Sequence, residues 1–133
     1  MRRLGFLRDK GLEKAVQEIL KSRAKTRIYI FLLRKNGAKS EDIIKATKLH
    51  PSTVRETLSR MYDDRQIHRK KIKNDSIGKN PFMYYPTAPL ELLKRHTDEI
   101  EERLNRLASL SLSNKDKKTR FFRIKIVERA EEV

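Results

Sequence analysis

The stretch Lys48-Leu49-His50-Pro51 limits the fold of this chain more than any other feature. A proline at the first position of a helix is preorganised there, because its ring sets φ and its missing N–H would go unpaired anyway. A helix therefore starts at Pro51, and the three residues before it form a break. Before the break, Ser40 is a good N-cap for a short helix over Glu41–Thr47, and Glu41 and Asp42 face the positive end of its dipole. Ile43, Ile44 and Ala46 supply the inner side of this short helix. The helix from Pro51 to Asp64 spaces Val54, Leu58 and Met61 four and three residues apart on an inner face. Ser52, Arg55, Glu56, Ser59 and Arg60 fall mostly on the other side. Two helices so closely joined read as a helix-turn-helix.

The flanking segments extend this unit. Gly11–Leu20 reads as an amphipathic helix with Leu12, Val16, Ile19 and Leu20 on one side. A second helix runs from about Lys25 to Lys35 on a stripe of Ile28, Phe31 and Leu32, widened by Ile30 and Leu33. Asn36-Gly37 ends it, with glycine expected to take the left-handed turn. Beyond Gln66 the helical period stops. Ile67–Ile72 and Phe82–Tyr85 are β-prone, and the turn-rich residues from Lys73 to Pro81 make them a hairpin with a protruding tip. From Leu90 to about Leu112, Leu90, Leu93, Thr97, Ile100, Leu104, Leu107 and Ser111 alternate at spacings of three and four. That is a coiled-coil-like seam. Residues 120–127 alternate Phe122, Ile124 and Ile126 with Arg123 and Lys125, as a strand does or as a tail that orders against a partner.

The expected fold class is mainly α with a small β-hairpin wing (α+β), a winged helix-turn-helix followed by a long C-terminal dimerisation helix. The expected domains are an N-terminal helix (1–24), the winged helix-turn-helix (25–88), the long helix (89–112) and a linker with a C-terminal strand or tail (113–133).

Lys and Arg number 33 against 18 Asp and Glu, a net charge of +15. Such a field draws polyanions from about a Debye length away. A Lys/Glu-rich surface of the thermophilic kind would explain the charged content but not the cationic excess. The longest apolar run, Ile28 to Leu33, is six residues and too short to cross a bilayer. The basic N-terminus has too short an apolar stretch for a secretion signal, and cysteine is absent. These features lead to a cytoplasmic protein; its charge suits nucleic acid, an anionic membrane surface or an acidic protein, of which nucleic acid is the expected partner and a membrane is not expected.

The order of elements allots the roles. The major groove of DNA admits one helix, braced by the shorter one before it. The base-reading candidates are Ser52, Thr53, Arg55, Glu56 and Ser59. Arg55 can meet guanine O6 and N7 in a bidentate contact. Glu56 can accept from a cytosine amino group, or hold Arg55 or Arg60 in place, the reading preferred here. The phosphate and wing candidates are Ser40, Arg60, Arg69, Lys71, Lys73 and Lys79. Arg65, His68, Arg69, Lys70, Lys71 and Lys73 fall within nine residues that include no acid. This cluster suits phosphates or a narrow minor groove, although lysines also protect exposed strand edges from aggregation.

The stretches Ala38-Lys39-Ser40-Glu41-Asp42-Ile43-Ile44 and Leu49-His50-Pro51-Ser52-Thr53-Val54-Arg55-Glu56-Thr57-Leu58-Ser59-Arg60-Met61 resemble the helix-turn-helix of archaeal winged-helix transcription regulators. TrmB-like, MarR-like and ArsR-like proteins share the pattern, and the Tyr84-Tyr85-Pro86 exit into a long charged helix is most similar to the TrmB-like group. The resemblance covers about Lys25 to Leu110. His50 departs from it where a serine N-cap is commoner, and no ligand-binding domain accompanies the motif. It implies sequence-specific binding of double-stranded DNA by a homodimer, with a protein of the transcription machinery as a further partner. Leu93, Ile100, Leu104 and Leu107 would form the dimer seam, unless that seam packs against the chain's own N-terminal helix. A nonspecific architectural or RNA-binding winged helix, and a protein-interaction module, are the competing readings. His50, His68 and His96 are far apart and lack Cys or carboxylate partners at metal spacing, and no phosphate-cradling glycine motif exists. The expectation is no enzyme, no metal and no cofactor.

Overall fold

The computed structural model describes residues 10–72, 82–111 and 122–129. It divides into two units, Met1–Pro89 and Leu90–Val133. The first contains α1 (Lys10–Leu20), α2 (Arg23–Lys35), β1 (Ala38–Lys39), α3 (Ser40–Thr47), α4 (Pro51–Asp63), β2 (Ile67–Lys71) and β3 (Phe82–Pro86). The second is built on α5 (Pro89–Ser111), whose first residue closes the first unit.

Helix α2 is the hub of the first unit, in contact with α1, α3, α4 and β3. Its stripe is broader than the periodicity predicts, because Thr26 and Tyr29 are buried along with Ile28, Phe31 and Leu32. Val54, Leu58 and Met61 of α4 and Ile43 of α3 complete the core, all within 1 % of full burial. Each such side chain contributes about 1.5–3 kcal/mol by leaving water. The inner side of α3 differs from expectation: Ser40, Ile43 and Thr47 point inward, Ile44 is half-buried and Ala46 is exposed. Thr47 tolerates burial because its hydroxyl donates to the Ile43 carbonyl at 2.7 Å. Tyr29 tolerates it by donating its hydroxyl to the Thr87 carbonyl. Burial raises the Tyr29 pKa far above the ordinary tyrosine value, so the phenol remains a donor.

The helix boundaries have local causes. Ser22 caps α2 by accepting from Lys25 N at 3.2 Å, two residues earlier than the periodicity suggested. At its other end Asn36 itself takes the left-handed conformation, with φ 56°. Lys21, Lys48 and Arg65 do the same just beyond the other helices of this unit. Pro51 opens α4 as expected, and the unusual cap His50 works: its Nδ1 accepts from Ser52 N at 3.3 Å.

The sheet has three antiparallel strands in the order β1-β3-β2, one more than the hairpin alone. Ala38 pairs with Tyr84 and Lys39 with Met83, a two-residue strand too short to leave an alternation in the sequence. In the hairpin, Ile67 lies opposite Pro86, Arg69 opposite Tyr84 and Lys71 opposite Phe82. Gly37 borders this sheet with φ 115°, and a Cβ there would sit 2.5 Å from Tyr85 Cε1. Gly37→Ala is therefore expected to destabilise the protein by about 1–3 kcal/mol through backbone strain and displacement of the Tyr85 ring. Thermal unfolding checks this, and an unchanged midpoint would remove the strain argument.

In the second unit, α5 carries three i,i+4 Arg–Glu pairs on its exposed surface: Glu91–Arg95, Glu99–Arg103 and Glu102–Arg106. Such pairs contribute only a few tenths of a kcal/mol each. Segment 122–129 is not a strand. Its peptide groups are held by the helix: Phe122 N donates to Asn105 Oδ1 at 2.7 Å, and Asn105 Nδ2 donates to the Phe122 carbonyl at 3.1 Å. Ile124 N donates to Glu101 Oε2 at 2.9 Å. The expected strand does not form among the described residues, and the segment is tied to its own chain's helix. Among them no helix is long and apolar enough to cross a membrane.

Candidate nucleic-acid interface

The core face of α4 decides what its other face can do. With Val54, Thr57, Leu58 and Met61 turned inward, Ser52, Arg55, Glu56, Ser59 and Arg60 are left exposed, while Thr53 is half-buried. The helix thus presents hydroxyls, a guanidinium fork and a carboxylate on one solvent-facing side. Ser52 is already engaged, its Oγ 2.7 Å from His50 Nδ1. No ion pair joins Glu56 to Arg55 or Arg60 among the described residues, so the preferred holding role for Glu56 has no counterpart here.

Strand β2 carries its cations on two faces. Ile67 is buried, and alternation puts Arg69 and Lys71 on its side of the sheet, with His68 and Lys70 on the other. On that other side the His68 and Tyr85 rings stack at 5.5 Å with 16° between planes, and Lys70 Nζ lies 5.6 Å from the Tyr85 centroid. On the Ile67 side the Arg69 guanidinium lies 3.9 Å from the Tyr62 ring centroid and 4.3 Å from that of Phe82. Tyr84, opposite Arg69 on the Ile67 side, is buried. The other two aromatics of β3, Phe82 and Tyr85, lie against cations of β2.

The other site candidates separate clearly. Ser40 is buried at 5 % exposure, so its side chain is directed into the core rather than toward a phosphate. Lys73 and Lys79 lie outside the described residues. Arg60, Arg69 and Lys71 are all exposed, the last two on the wing. On α5, Leu93 (38 %), Leu104 (45 %) and Leu107 (66 %) are open to solvent and Ile100 is half-buried. The arginine–aromatic contacts were not legible from spacing, because Tyr62 lies seven residues before Arg69 and Phe82 thirteen after it. Among the described residues no cluster of three His, Asp or Glu could hold a metal ion.

Comparison with known proteins agrees with this architecture. The family model of the TFIIE alpha subunit matches residues 12–113. A possible transcriptional regulator from Methanosarcina mazei Go1 has the same fold, with a TM-score of 0.62 at 15 % identity, over 77 % of this chain and 89 % of its own. A MarR-family transcriptional regulator from Silicibacter pomeroyi gives a TM-score of 0.48 at 19 % identity, over 88 % of this chain and 76 % of its own. No curated protein matches the chain significantly. The mostly helical chain with its small antiparallel sheet is a winged-helix protein of the α+β class.

Proposed function

The chain belongs to the TFIIE alpha subunit family, and from that premise we propose that it binds double-stranded DNA in a sequence-dependent manner as a homodimer, regulating transcription in the cytoplasm without catalysis. The observation that carries this reading is the exposed polar face of α4 beside a cationic wing, in a chain of net charge +15. Under it, Arg55 reads base edges with Thr53, Ser59 and Glu56, and Ser52 helps to start the helix at the groove. Arg60, Arg69 and Lys71 meet phosphates, together with Lys73 and Lys79. The exposed leucines of α5 join two copies, which sets half-sites roughly 34 Å apart or a multiple of that.

Selection of genomic fragments by the purified protein at about 150 mM salt, followed by sequencing, tests the reading. An inverted-repeat motif is the expected result. Single substitutions sharpen it. Arg55→Ala should lose about 1–3 kcal/mol of discrimination at one base position, whereas Lys71→Ala should weaken all sequences alike. Equal losses on cognate and random DNA for both variants would remove Arg55 as a reader.

One observation favours a second reading. The Ser52 hydroxyl is already tied to His50, which leaves fewer groups for base edges. A nonspecific architectural or RNA-binding role would recover fragments with no common motif. Failure to recover any DNA would leave docking of an acidic transcription-machinery protein.

A further inference from the structure

We propose that Tyr62, Arg69 and Phe82 form a preorganised phosphodiester-binding fork at the base of the wing, in which the two rings fix the guanidinium and a lysine could not replace it. This deepens the DNA-binding reading and rests on it for the identity of the natural ligand.

The guanidinium carbon lies 3.9 Å from one ring centroid and 4.3 Å from the other, close enough for face contact with both. Stacking occupies the flat faces of the guanidinium and leaves its N–H donors around the edge. No carboxylate pairs with Arg69 among the described residues. An arginine clamped in this way and lacking an acid is incomplete as a structural pair. The ligand that completes it is a tetrahedral oxyanion whose two free oxygens take two parallel N–H bonds, the geometry of a phosphodiester. Lys71 shares this face of β2 and supplies a second cation.

The placement also suits a nucleic acid. Tyr62 lies in the last turn of α4, whose exposed side carries Arg55 and Ser59, and Phe82 begins the returning strand of the hairpin. One guanidinium thus ties the proposed reading helix to the wing. A phosphate held there sets the register of the helix in the groove as well as adding affinity. Unlike a flexible surface lysine, the stacked arginine loses little side-chain freedom when the phosphate arrives.

The test compares Arg69→Lys, Arg69→Ala, Tyr62→Leu and Phe82→Leu in the full-length chain, with Lys71→Ala as a point-charge control. Duplex affinity and the side-chain Nε–H resonance of Arg69 are both read, the latter during titration with inorganic phosphate. Arg69→Lys is expected to lose about tenfold in affinity, as much as Arg69→Ala, because it keeps the charge but not the fork. Tyr62→Leu and Phe82→Leu should each lose a few-fold with an unchanged salt slope, since no cation is removed. Wild-type affinity in Arg69→Lys would overturn the proposal, as would an Arg69 Nε–H signal indifferent to phosphate. If the wild-type protein binds no duplex while that signal still responds, the fork stands and the DNA reading fails.

Discussion

Raising the salt from about 50 to 200 mM is expected to weaken duplex binding by about a hundred-thousandfold or somewhat more. The magnitude follows from counting cations. Arg60, Arg69, Lys71, Lys73 and Lys79 from each of two protomers would neutralise about ten phosphates, and each releases close to one condensed counterion. A plot of log affinity against log salt should then fall with a slope of about −9. Salt titration on a cognate and a scrambled duplex measures this directly. A slope near −2 would mean that the wing does not engage the backbone, and the net charge of +15 would then serve another partner. Equal affinities on both duplexes with the steep slope retained would keep the wing and discard base reading.

The second large effect concerns α5. If the proposed dimer forms through α5, Leu104→Glu combined with Leu107→Glu is expected to convert it to a monomer and lower affinity for a two-half-site duplex by about a hundredfold or more. Leu104 and Leu107 are 45 % and 66 % exposed in the single chain, so neither belongs to its buried core. In a dimer the substitutions would place four carboxylates in an apolar seam, where desolvation and like-charge repulsion oppose association. Losing the second half-site removes the effective concentration that makes the second contact nearly intramolecular. Sedimentation equilibrium gives the mass, and circular dichroism confirms that helix content is kept. A variant that remains dimeric would show that the copies meet elsewhere. A variant with lost helix content would favour the competing view, in which the seam packs within its own chain.

Much of the first unit was legible because burial leaves a local trace. The core face of α4 is readable from Val54, Leu58 and Met61 alone, since a helix that packs on one side must repeat its apolar residues at helical spacing. Once that face is known, the exposure of Arg55, Glu56 and Ser59 follows by geometry. The boundaries were legible to within a turn, because Pro51 acts through its own ring and the caps His50 and Ser22 act through bonds to residues two or three positions away. Tyr29 and Thr47 were missed for the converse reason. Their burial is made tolerable by hydroxyl partners, which no hydrophobic pattern records.

The sequence by itself determined the rhythm of the chain: helices stopped and started by capping residues, a hairpin, a long seam and a strong cationic excess. These depend on neighbours within about one helical turn or on charge, which sums without regard to position. Only the tertiary structure decided that a two-residue β1 joins the sheet and that Gly37 makes room for Tyr85. It alone placed Arg69 against both Tyr62 and Phe82, and tied segment 122–129 to Asn105 and Glu101. Each of these is a specific pairing between segments distant in the chain. Periodicity tells which way a residue faces, but the identity of its partner is set only when packing brings the two segments together.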